Sequence, residues 1–224
     1  MGFVDTFLNW PVFLSSLPLL LGGLKVTLWL GAVSIVAGLV LGLFVALIRL
    51  YAPRPFAILV KIYTDIFRSV PLLVLLVVIY YALPFVGIQL SPFLSAATAL
   101  TLVSGAYTAE IFRAGIEAIP RGQFEASQAL GLGYRHMMTE VILPQAIRVV
   151  IQPLTGNCIN VVKDTALASV VTMPDLLKQA TQAQALEANP TPLIAAAVMY
   201  ILILWPLVLL VGRLEKRYRR SDGS

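Results

Sequence analysis

Apolar positions along this chain do not alternate with polar ones. They run in long uninterrupted blocks at about 17–48, 56–83, 93–119, 147–171 and 192–212. About 20 apolar residues as a helix cross a hydrocarbon core roughly 30 Å thick. The last block, 21 residues long, gives about 32 Å of helix, enough to cross with little tilt. Barrel strands would show as alternating stretches of about ten residues. Within lipid the backbone must satisfy its own hydrogen bonds, which leaves helices. The pattern predicts an all-α polytopic membrane protein with five transmembrane helices and one domain over 1–224. Composition agrees: 12% of residues are charged and 59% hydrophobic, against about 25% charged for a soluble protein.

Punctuation between the blocks gives the organisation. Gly38 and Gly42 make a G-x-x-x-G pair in the first block, a spacing that permits close helix contact. Pro53 and Pro55 break the chain after it, and Pro71 sits inside the second block. Pro84, Gly87, Ser91 and Pro92 mark a loop. The fourth block is interrupted by Pro153, Gly156, Lys163 and Asp164, and 173–191 is a polar connection. Residues 1–16 carry no basic residue, so they lack the n-region of a cleaved signal peptide; Asp5, Asn9, Trp10 and Pro11 read as an interfacial lead-in. Basic residues concentrate after the first block (Arg49, Arg54, Lys61), around 120–146 (Arg113, Arg121, Arg135, Arg148) and in the tail, which has five between 213 and 220. The opposite side has Lys25 and Lys178. Positive residues stay inside, so the N-terminus is expected outside, and the C-terminus and the polar 120–146 stretch in the cytoplasm.

The net charge of +5 belongs to those loops and not to a nucleic-acid-binding surface. No G-x-x-x-x-G-K-[ST] occurs, so the chain has no P-loop of its own. His136 is the one histidine and Cys158 the one cysteine; neither a metal site nor a catalytic nucleophile is expected. The chemistry lies in charges within the blocks, each costing roughly 2.5–3.5 kcal/mol at a membrane centre. Glu110 and Arg113 share a helix face and can pair. Lys163 and Asp164 point about 100° apart and cannot fully neutralise each other. Two readings stay open for them: an ion pair locking the fourth block to the second or third, or a polar wall for a charged or zwitterionic substrate. Arg68 and Ser69 precede Pro71, which frees a backbone carbonyl of the kind tolerated beside a cavity.

Several motifs then fall in one order. Glu125-Ala126-Ser127, three residues, Gly131, nine residues, Val141, one residue, Leu143-Pro144 resembles the E-A-A…G…I-x-L-P cytoplasmic loop of ABC-importer permeases. The runs 107–116, 119–123, 143–146 and 163–167, with Phe67-Arg68-Ser69-Val70-Pro71-Leu72-Leu73, resemble the polar amino-acid subfamily, and the likeness runs from about 19 to 212. It implies a type I ABC-importer permease fold in a bacterial inner membrane. It also implies partners: a second permease subunit, identical or homologous, an ATP-binding cassette ATPase that uses ATP and Mg, and an extracytoplasmic binding protein delivering an amino acid. No cofactor is expected on this chain itself, and no enzymatic activity. The ATPase contact carried over is Gln123, Glu125, Ala126, Ser127, Gly131, Gly133, Leu143 and Pro144. The substrate path carried over is Arg68, Ser69, Glu110, Lys163 and Asp164. Small Ala126 and Ser127 would let a partner backbone approach, and Gly131 and Gly133 would stop the helix. Ser127 stands for the second Ala, Val141 for Ile, Ser69-Val70 where Gly-Thr is common and Ala166 where Ser is common. The rival reading is an ion-coupled secondary transporter or channel acting alone, which often shows inverted repeats; none is visible here.

Overall fold

The computed structural model describes residue 2 and residues 6–220, with side chains through Arg213. Asp5 of the lead-in and the basic side chains beyond Arg213 lie outside the described residues. Among those described, all regular structure is helical. Helix α1 is Trp10–Tyr51, α2 is Arg54–Ser69 and α3 is Leu72–Val77. A π turn, Val78–Ala82, and a 3-10 turn, Leu83–Val86, extend α3. Helix α4 is Pro92–Glu117 and α5 is Arg121–Ala129. Short turns at Tyr134–His136 and Met137–Ile142 lead into α6, Leu143–Asp164, which a 3-10 segment, Thr165–Val171, continues. Helix α7 is Leu176–Glu187 and α8 is Thr191–Arg220.

The second apolar block, expected as one span, is two helices. Pro71 is extended (φ −58°, ψ 130°) and stands between α2 and α3. It offers no N–H and disfavours helix at the residue before it, so a proline expected inside a span divides it instead. Pro153, by contrast, is taken up inside α6, and Pro206 inside α8. By length and composition, Trp10–Tyr51 and Thr191–Arg213 can each cross a membrane, and α2 with α3 makes a third span if the broken pair counts as one. Helices α4 and α6 are long enough, at 26 and 22 residues. They are diluted by Ser95, Ser104, Thr108, Thr155 and Asn157, and so are less apolar than α1 and the 191–213 part of α8.

Packing divides the described chain into two units, 1–36 with 70–101 and 159–208, and 37–69 with 102–158 and 209–224. In the first, Leu20 of α1 packs with Leu176 and Ala180 of α7 and Ala195 and Ala196 of α8. Small residues on three helices let the backbones approach. At Gly23 a Cβ would lie 2.8 Å from the Asp175 carbonyl oxygen. The Leu176 N–H donates to Thr27 Oγ1 at 3.0 Å, and the Asn9 N–H to Thr191 Oγ1 at 3.0 Å. In the second unit Val45 and Ala46 of α1 pack with Ala109 of α4, with Val60 and Tyr63 of α2 alongside. The G-x-x-x-G pair lies here: a Cβ at Gly38 would meet Ser104 Oγ at 2.7 Å, and one at Gly42 would meet Thr108 Cβ at 2.5 Å.

Candidate functional site: the α5 platform and the helix charges

Pro120 fixes the start of α5, and the helix ends after Ala129. The chain then turns through Gly131 at φ +72°, a left-handed conformation that costs other L-residues roughly 1–2 kcal/mol. Gly133 does not share that role. Its backbone is extended (φ −63°, ψ 153°) and it opens the next turn as the residue before Tyr134. Beneath α5 a compact apolar cluster forms from Ile119, Met137, Met138, Ile142 and Ala146, with Phe124, Leu132, Val141 and Leu143 against it. Leu143 therefore anchors the platform, and Pro144 begins α6 beside it, exposed. A polar tie adds to this: Gln145 Nε2 donates to Gln123 Oε1 at 3.3 Å and to the Val141 carbonyl at 2.8 Å.

The outer face of α5 differs from expectation at one residue. Ser127 is buried, and its hydroxyl donates to the Gln123 carbonyl at 2.7 Å. Its hydroxyl is engaged within the helix and its side chain is turned away from solvent. Gln123, Glu125, Ala126 and, past the helix end, Leu130 are exposed. Leu130, 79% exposed, closes the helix-competent run 123–130 but lies outside the ATPase contact that the resemblance carries over. A leucine directly before the Gly131 stop is the signal that could have found it.

Arg68, Ser69 and Glu110 fall in the second unit. Arg113 binds both Glu110 oxygens through its Nε, at 3.1 Å, and its Nη2, and reaches Glu117 through Nη1. Arg68 comes to 4.0 Å of Glu110 and lies over the Tyr107 ring, 5.6 Å from its centroid. The local pair foreseen at Glu110 and Arg113 is thus the centre of a four-member charge chain. Ser69 is spent locally, donating to the Asp65 carbonyl at 2.7 Å. A polar knot missed from sequence lies on the same unit: Asn157 Nδ2 donates to Ser104 Oγ and Thr108 Oγ1, both at 3.2 Å. An asparagine in an apolar run was its visible sign. Lys163 and Asp164 fall in the first unit, at the end of α6. Lys163 is exposed and Asp164 half-buried, and neither enters an ion pair among the described residues. No group of metal-ligating side chains occurs among the described residues.

Residues 38–220 match the family described as binding-protein-dependent transport system inner membrane component. The chain belongs to this family. The permease is 36% identical over 217 residues to the arginine transport system permease protein ArtQ of Bacillus subtilis (strain 168), covering 96% of this chain and 99% of that one. It is 37% identical to the L-cystine transport system permease protein TcyB of the same organism, covering 97% and 94%. Among solved structures it is similar to an amino acid ABC transporter crystallised with histidines, at TM-score 0.87 and 34% identity, covering 92% of this chain and 96% of that one. It is also similar to the MetNI methionine ABC transporter in an inward-facing conformation, at TM-score 0.73 and 25% identity, covering 89% and 96%. The fold is therefore that of a type I ABC permease. The permease is a membrane transport subunit of an ATP-driven importer, and the ATPase of such systems is a separate protein.

Proposed function

We propose that this permease takes up a polar amino acid, or a derivative of one, delivered by an extracytoplasmic binding protein. An ATP-binding cassette subunit in the cytoplasm, using ATP and Mg, drives it through the 120–146 loop, and a second permease subunit completes the path. Relatives named for arginine, L-cystine and glutamine support the substrate class. In this reading the permease is multi-pass in a bacterial inner membrane. Helices α1, α4, α6 and α8 with the α2–α3 pair make five spans, the N-terminus is outside and the C-terminus is in the cytoplasm.

The observation that carries the coupling role is the α5 platform. A short helix presents Gln123, Glu125, Ala126 and Leu130 outward, stops at Gly131, and is backed by the Ile142 cluster. A short, backed helix with an abrupt end transmits a push and does not bend away from it. Leu143 packs on the cluster beneath it, and Gly133 and Pro144 complete the contact surface in this reading. The test is co-purification of the ATPase. Glu125→Lys and Gly131→Pro are each expected to abolish it while the permease still folds, and retention in both variants would remove α5 from the contact. Robust uptake by the permease alone, driven by an ion gradient in proteoliposomes, would overturn the ATP-driven reading in favour of a secondary transporter.

A further inference from the structure

Asp175 stands apart from both the platform and the helix charges. Its side chain is fully buried. One carboxylate oxygen, Oδ1, accepts the Lys178 N–H at 3.0 Å and caps α7. The other, Oδ2, is buried with no hydrogen-bond partner, as are the Tyr200 hydroxyl of α8 and the Gln179 amide oxygen of α7. Tyr200 stands near the carboxylate and beside the hydroxyls of Thr27 and Thr165. These surroundings are short of positive charge. From α7 come Lys178, whose side chain is exposed, and Gln179; from α8, Tyr200; from the 3-10 segment, Thr165. From α1 come Thr27 and the backbone at Gly23, Lys25 being exposed. An ionised carboxylate buried without a cation is strongly disfavoured, and an orphaned acceptor adds to the cost.

We infer that Asp175 is a buried proton-binding site whose occupancy governs how firmly α7 is held on α1 and α8. A proton on Oδ2 makes the carboxyl neutral and turns the orphaned acceptor into a donor among Tyr200, Thr27 and Gln179. The cap at Oδ1 survives. The contact is rigid enough to register the change, because Gly23 leaves no gap: a Cβ there would meet Gln179 Cγ at 2.8 Å and Leu176 Cα at 2.9 Å.

Burial pushes the Asp175 carboxyl up from 3.8 to about 6, against the opposing pull of backbone N–H groups at Lys178, Leu177 and Asp175 and, more weakly, of the exposed Lys178 ammonium. A value raised in the docked state means that state binds the proton more tightly. The resulting stability is full below about pH 4 and is lost as pH rises through about 6. Docking of α7 should therefore be about tenfold tighter at pH 5 than at pH 8.

Hydrogen exchange of residues 176–187, measured on the full-length permease in nanodiscs and corrected for intrinsic rates, tests this. Wild type should show about tenfold greater protection near pH 5 than near pH 8. Asp175→Asn keeps a helix cap without a charge and should be protected equally at both. Equal protection in wild type, or a pH difference that survives in Asp175→Asn, overturns the proposal. So does a rise in protection at pH 8 when sodium chloride replaces choline chloride, which would assign the site to a metal cation. Should Asp175→Asn fail to fold, Tyr200→Phe serves. Removing an oxygen to which the protonated carboxyl can donate should move the midpoint to lower pH, and an unmoved midpoint counts against the proposal.

Discussion

Glycines in α1 that look alike in sequence do different work. Gly22 has nothing within 4 Å of where a Cβ would stand, while at Gly42 a Cβ would lie 2.5 Å from Thr108 Cβ and 2.8 Å from the Gly105 carbonyl oxygen. A backbone oxygen cannot swing aside as a side-chain tip can. Gly42→Ala is expected to destabilise the permease by about 1–3 kcal/mol. Gly22→Ala should leave it unchanged or stabilise it by roughly 0.5–1 kcal/mol, the usual gain of replacing glycine within a helix. Thermal unfolding of the two variants in one detergent measures the contrast, and equal melting temperatures would contradict it. The G-x-x-x-G spacing marked Gly42 from sequence. It could not show that Gly23, outside any such pair, is as tightly enclosed, because its neighbours lie on α7, about 150 residues further along.

At the scale of elements, α5 depends on what lies beneath it. Nine residues make two and a half turns, too few for a stable isolated helix in water. Its order comes from Phe124 resting on the cluster around Ile142, which is fully buried. Ile142→Ala should cost about 2–5 kcal/mol, and the loss should be felt first as a loosened α5. Limited proteolysis within 121–134 should speed up, and ATP-driven uptake should fall although no exposed residue of α5 has changed. Unaltered proteolysis would mean that α5 is held by some other contact. Burial of Ser127 has the same origin. From sequence, Ala126 and Ser127 were equivalent small residues. On a helix they point about 100° apart, and only packing decides which one turns inward.

For the whole molecule, the residues proposed for the substrate path divide by their local balance of charge. Glu110 is engaged by Arg113 and approached by Arg68, so substitution there should mainly cost stability. Asp164 forms no ion pair among the described residues, its charge met by exposed Lys163 beside it at longer range, and lies at the end of α6, where the α-helix gives way to a 3-10 turn. Asp164→Asn is expected to change substrate preference or lower uptake in reconstituted transporter, with the melting temperature little altered. Unchanged transport would leave Asp164 a structural residue. The helical character of the chain, its membrane setting and the α5 region were legible without coordinates. Long apolar blocks must satisfy their backbones internally, and a polar stretch between them must lie in water. Proline and glycine could be located in sequence but not interpreted there. Pro71 breaks its helix and Pro153 does not, and Gly131 takes a left-handed turn while Gly133 does not. A proline costs one hydrogen bond and one steric clash in either place, and whether neighbouring helices absorb that cost is a property of the packed structure. Asp175 is the sharpest case. Its sequence context is that of an ordinary exposed cap in a polar connection, and only the meeting of α1, α7 and α8 removes it from water and gives its ionisation a consequence.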